Sequence, residues 1–125
     1  PLWRGFFGGK LTEYSDLTTN DIRGSWPQYT PEAIRNNIRI VEVLTAFGKP
    51  RGMTAAQTAL SWMLHKYPFI VPLFGTTKLS HLEENLHSVD FSLEKEDIVG
   101  LEKAISTLPI AGTRYDTLNQ AKVEY

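Results

Sequence analysis

At 125 residues the chain is the size of one ordinary domain, and a hydrophobic content of 42% is enough to build a core. Lys and Arg number 13 against 14 Asp and Glu, a formal charge of −1 that gives no push toward nucleic acid or an anionic membrane. Cysteine is absent, which excludes disulfides, zinc thiolates and a cysteine nucleophile and fits a cytoplasmic protein. No apolar stretch approaches the roughly 20 residues that span a bilayer.

The chain opens Pro1-Leu2-Trp3-Arg4-Gly5, with neither an initiator Met nor the basic-then-apolar pattern of a leader. The expectation is a start inside a longer sequence. Residues 1–30 carry Gly5, Gly8 and Gly9, then polar stretches and Trp26-Pro27, with no sustained period of 3.6 or 2.0. They predict a long loop with one short helical turn near Ser15 to Asn20. A loop of that length in a compact domain usually works as a lid or a binding loop. Trp3, Phe6, Phe7 and Trp26 are costly to leave in water, so they either anchor the loop on the core or contact a ligand.

A first helix is predicted from Thr30, with Pro31 at its first position, where a missing N–H costs nothing. Ile34, Ile38, Val41 and Leu44/Thr45 form its apolar stripe, and Gly48-Lys49-Pro50 stops it. Thr54 and Gln57 make a capping box that opens a second helix running to about Tyr67, with Ala56, Ala59, Leu60, Met63 and Leu64 on one face.

Residues 69–74 read as a buried strand, continuously apolar as in a parallel sheet covered by helices. Gly75-Thr76-Thr77-Lys78 follow, then a short helix with Leu79, Leu82 and Leu86 on one face. A strand end opening into small, hydroxyl-bearing and cationic residues before a helix is a good anion site, because free N–H groups, the helix N-terminus and one ammonium converge there. Ser92 is expected to cap a fourth helix with Ile98, Leu101 and Ile105 facing inward, and the tail from Leu108 is expected to be irregular. About four helices then accompany one strand. A lone parallel-type strand leaves two rows of backbone groups unpaired, so either its partners come from polypeptide outside this chain, which is the favoured expectation, or the isolated chain rearranges or self-associates.

Other chemistries find little support. His65, His81 and His87 form no HExxH or other ligand spacing. Ser61 and Ser80 have no evident base, and no GxSxG is present. Glu83 and Glu84 point about 100° apart on a helix, so they do not share a face. His65 and His87 read as structural, whereas His81, in the first turn after the Gly-Thr-Thr-Lys loop, is a candidate ligand contact.

The stretch beginning at Met53, MTAAQTALSWMLHKYPFIVPLFGTTKLSHLEENLHSVDFSLEKEDIVGLEK, resembles the C-terminal segment of aldo/keto reductases, with a TPAQ-type cap, an I-V-P-x-x-G-T strand end and a HLEEN helix. Upstream, PLWRGFFGGKL resembles that family's loop after the seventh barrel strand. Downstream, Ala111-Gly112-Thr113-Arg114-Tyr115 resembles the close of its bacterial and plant branch.

The resemblance implies an α/β fold, the C-terminal portion of a (β/α)₈ barrel. Residues 1–30 would be the loop after the seventh strand, 31–67 helices, 69–74 the eighth strand, 75–107 helices and 108–125 a tail, with the remaining N-terminal part of the barrel as partner. It implies NADPH-dependent reduction of a small-molecule carbonyl substrate. Gly75, Thr76, Thr77 and Lys78 would face the adenosine 2′-phosphate, Glu84 and Asn85 the adenine, and Leu2, Arg4 and Gly5 the pyrophosphate. His81 stands where many relatives have Arg, and Trp3 where Gly is usual. The family's catalytic Asp, Tyr, Lys and His fall before Pro1, so no catalytic residue is expected among these 125. The alternative is a non-catalytic nucleotide-binding or interaction module derived from the same fold.

Overall fold

The computed structural model describes residues 2–11, 17 and 20–123. The helical turn expected near Ser15 to Asn20 lies almost entirely outside the described residues. Four main helices run in chain order: α1 (Pro31–Gly48), α2 (Ala55–Lys66), α3 (Leu79–Leu86) and α4 (Lys95–Ser106). A short α5 (Thr117–Gln120) follows in the tail, and single 3-10 turns punctuate the connections.

The helix starts follow from local side-chain chemistry. The Thr30 hydroxyl accepts the Ala33 N–H at 3.2 Å, with Pro31 first in α1. Thr54 Oγ1 accepts the Gln57 N–H at 3.2 Å, while Gln57 Oε1 accepts the Thr54 N–H at 3.0 Å, so the predicted capping box closes in both directions. At α4 the expectation is corrected. Glu94, not Ser92, is the cap, its N–H donating to Asp97 Oδ2 at 3.1 Å. Asp97 also pairs with Arg51 at 2.6 Å. The Glu94 N–H first, and Arg51 second, hold its carboxyl below the ordinary value.

Helix α2 is the centre of the molecule, packing against α1, α3 and α4. All of Ala55 to Ser61 is buried, so its first two turns have no solvent face. Burial of Leu60, at 1% exposure, contributes roughly 1.5–3 kcal/mol. Closeness to α1 is permitted by Gly48, where a Cβ would stand 2.4 Å from Thr58 Oγ1. On α1 the buried set is Ala33, Ile34, Asn37, Ile40, Val41 and Leu44, wider than the stripe the sequence predicts, while Ile38 is half-buried.

The predicted strand is not formed: among the described residues there is no strand and no sheet, and the α/β expectation gives way to an all-helical arrangement. Backbone N–H and C=O groups of a strand need a lateral partner, and residues 71–75 make no backbone hydrogen bond to any described residue. An extended course still leaves its mark in a two-residue alternation. Phe69, Val71 and Leu73 are 82%, 89% and 88% exposed, whereas Ile70, Pro72 and Phe74 are half-buried. The run is apolar on both sides, but only one side is partly covered.

The tail is better anchored than an irregular one. Asn37, fully buried on α1, donates from Nδ2 to the Ala111 carbonyl at 3.0 Å, and its Oδ1 accepts the Ala111 N–H at 2.9 Å. Asn36 Nδ2 donates to the Pro109 carbonyl at 2.6 Å. Gly112, at φ 81°, lies so close to the Pro27 carbonyl that a Cβ would stand 2.4 Å from its oxygen. The tail therefore crosses back over the segment that precedes α1.

Candidate functional site

Two stretches far apart in sequence meet at one cavity of about 730 Å³. One is Leu2 to Leu11. The other runs from Leu73 through the start of α3 to Asn85, with Ala56 of α2 and the Asp21–Arg23 segment between them. Of the residues predicted for cofactor binding, Leu2, Arg4, Gly5, Gly75, Thr76, His81, Glu84 and Asn85 line the cavity. Thr77 and Lys78 do not line it. Both are exposed where α3 begins, with Lys78 as the residue that caps it.

The loop from Gly75 to Lys78 is organised by Thr76, whose Oγ1 accepts the Lys78 N–H at 3.2 Å, a two-residue turn that ends in α3. Lys78 has no side-chain partner among the described residues, so its ammonium stands in water beside the positive end of the α3 dipole. Gly75 has open space where a Cβ would be. Glu84 is already engaged: Oε1 accepts the Thr54 hydroxyl at 2.8 Å, and its backbone carbonyl accepts Gln57 Nε2 at 2.9 Å. The cap of α2 thus holds the carboxylate side of the cavity. Asn85 is buried and His81 half-buried against the same space.

On the other wall the backbone is unusual. Trp3, Arg4 and Gly5 have φ of 46°, 52° and 87°, a left-handed run in which only the glycine is at ease. Trp3 keeps this conformation because its surroundings hold it. Tyr29 Oη donates to the Trp3 carbonyl at 2.9 Å, and Trp3 Nε1 donates to Gln28 Oε1 at 2.7 Å. The Arg4 guanidinium is sandwiched between Trp26 at 4.0 Å and Tyr115 at 4.7 Å, and its Nη1 donates to the Arg114 carbonyl at 2.8 Å. Phe6, at 0% exposure, anchors the same turn in the core. All four loop aromatics anchor on the core, Phe6 within it and Trp3, Phe7 and Trp26 packed against it, and Trp3 and Phe7 also line a second, apolar cavity of about 690 Å³ between α1, α2 and α4.

Sequence reasoning missed Asp21 and Arg23. Arg23 donates from Nε to Asp21 Oδ1 at 3.0 Å and from Nη2 to Oδ2 at 2.6 Å, a bidentate fork at the cavity wall. Asp21 is held at about 2 by the Arg23 side-chain bonds and by the Arg23 N–H, so the pair is ionised throughout the neutral range. The only local signal is an Asp two residues before an Arg. The other histidines are structural: His65 Nδ1 lies 2.8 Å from the Ser61 carbonyl and Nε2 accepts the Leu93 N–H at 3.3 Å, tying α2 to the start of α4. His87 pairs with Asp90 at 2.6 Å.

The sequence matches the Aldo/keto reductase family over residues 2–106. The chain belongs to the aldo/keto reductase family, a family of oxidoreductases. It is similar to a "Probable aldo-keto reductase 1" of Glycine max, 34% identical over 92% of this chain and 33% of the relative. It is also similar to aldo-keto reductase str7 of Strobilurus tenacellus, at 28% over 91% of this chain and 34% of the relative. A third relative, 28% identical over 92% of this chain and 34% of its own length, is a Schizosaccharomyces pombe protein named aldo-keto reductase yakc, with NADP(+) in its name. The chain spans about a third of the length of these relatives.

Proposed function

We propose that the protein is an NADPH-dependent reductase of aldehydes or ketones, and that the cavity between residues 2–11 and 73–85 receives the phosphorylated end of the cofactor. The observation that carries this reading is the convergence of Arg4, Gly5, Gly75, Thr76, His81, Glu84 and Asn85 on one space, although the two segments are far apart in the chain. A cavity of this size falls within the range that ligands of this class occupy.

Of the donors expected at the 2′-phosphate, Thr76 lines the cavity, whereas Lys78, with Thr77 and the α3 N-terminus, stands outside its lining and would meet a 2′-phosphate that projects toward α3. Glu84 and Asn85 would hold the adenine edge, and the Leu2 to Gly5 turn would face the pyrophosphate. His81 is the imidazole between these two groups. Bound NADPH supplies the hydride; the residues here bind and orient it. No tyrosine lines this cavity among the described residues. No helix among the described residues is long and apolar enough to cross a membrane.

Quenching of the Trp3, Trp26 and Trp62 fluorescence by NADPH tests the reading directly. Lys78→Ala in the full-length protein is expected to weaken NADPH by about 10- to 100-fold, the loss of one charge-assisted contact, and to leave NADH nearly unchanged. Equal loss for the two cofactors would remove the 2′-phosphate role, and no quenching of the wild-type protein at millimolar NADPH would remove the cofactor site.

A further inference from the structure

Arg4 and Gly5, two residues of the left-handed run at Trp3 to Gly5, line the cofactor cavity, and such a run persists only where its surroundings over-determine it. Two of its carbonyls are held by side-chain donors. Tyr29 Oη donates to the Trp3 carbonyl at 2.9 Å, and Arg23 Nη1 donates to the Arg4 carbonyl at 3.2 Å. The Arg23 guanidinium is itself fixed, with Nε and Nη2 on the Asp21 carboxylate and the Arg23 N–H on Asp21 Oδ1 at 3.0 Å. Its third arm is therefore aimed, not free to wander. At Gly5 a Cβ would stand 3.3 Å from Arg23 Nη1, so the guanidinium is seated directly on the turn.

We propose that Arg23, locked by Asp21, is a positioning residue for cofactor binding, which it serves by fixing the Arg4 carbonyl and with it the Arg4–Gly5 peptide at the cavity wall. This rests on the reading of the cavity as a nicotinamide-cofactor site. Gly5 accepts both signs of φ, so without the Arg23 bond the turn is freer to leave the conformation that shapes this wall. Lysine is no substitute, because one ammonium does not fork a carboxylate and reach a second acceptor in the same plane.

The test uses Arg23→Ala, Arg23→Lys and Asp21→Asn in the full-length protein. Arg23→Ala is expected to weaken NADPH and NADH alike, by about tenfold, the equivalent of one charge-assisted hydrogen bond. Added ethylguanidinium should restore binding and ethylammonium should not, a distinction that a general loss of packing would not make. Arg23→Lys should behave as the alanine variant, and Asp21→Asn should lie between. In the absence of cofactor, the amides of Gly5 and Phe7, which both donate to the Leu2 carbonyl, should exchange faster with solvent in Arg23→Ala. Wild-type affinity in Arg23→Ala, equal rescue by the two amines, or unchanged exchange at Gly5 overturns the proposal. If the wild-type protein binds neither cofactor, the proposed function falls, while the exchange experiment still decides whether Arg23 sets this turn.

Discussion

At the scale of single residues, the largest effects belong to buried polar side chains that satisfy backbone groups of a distant segment. Asn37 is the clearest case, because one side chain satisfies both the N–H and the carbonyl of Ala111. Asn37→Leu keeps the volume and strands two backbone groups, at about 1–3 kcal/mol for each. Urea unfolding should therefore show a loss of several kcal/mol, together with release of the tail seen as exposure of Tyr115. A loss below that of a surface substitution would show that the tail is not held there. Nothing in the sequence marks Asn37: it sits among Ile34, Ile38 and Val41 as a polar residue at an inward position, and its partner is 74 residues away. Asp21 and Arg23 are hidden for the same reason, since their neighbour on the turn lies 19 residues upstream. Gly75, Thr76, His81, Glu84 and Asn85 were legible because a loop and the helix that follows it place them together with no distant contact required.

At the scale of elements, the starts of α1 and α2 were readable because a cap is a contract between residues three apart. The start of α4 was less so, since Ser92 and Glu94 are both cap-forming, and the choice fell to Asp97, which reaches back to the Glu94 N–H. The apolar run at 69–74 was misread for a different physical reason. Helices satisfy their own backbone, but a strand is half of a pair, and no other described segment completes it. Thr54 offers the sharpest test at this scale, because it both caps α2 and holds the Glu84 carboxylate. Thr54→Ala is expected to cost about 1 kcal/mol through the cap, a shift readable in thermal unfolding. It should also weaken cofactor binding by freeing Glu84. Thr54→Ser should restore both. Recovery of stability without recovery of binding would separate the cap from the cavity.

At the scale of the whole molecule, helices α1, α2 and α4 bury one core, while Phe69, Val71, Leu79, Leu86 and Val89 remain in solvent. An extended apolar segment with unbonded backbone is a template for association. The 125-residue polypeptide should accordingly show a sedimentation coefficient that rises with concentration, and Phe69→Ser with Val71→Ser should suppress the rise. Concentration-independent sedimentation of the unsubstituted polypeptide would mean that these side chains are covered in solution. The bond from Arg4 to the Arg114 carbonyl spans 110 residues. Its consequence concerns timing during synthesis, which runs from the N-terminus. The turn at Trp3 to Gly5 is synthesised 110 residues before Arg114, so its guanidinium waits that long for its carbonyl and for the Tyr115 ring. Until that stretch has emerged, the turn lacks this brace.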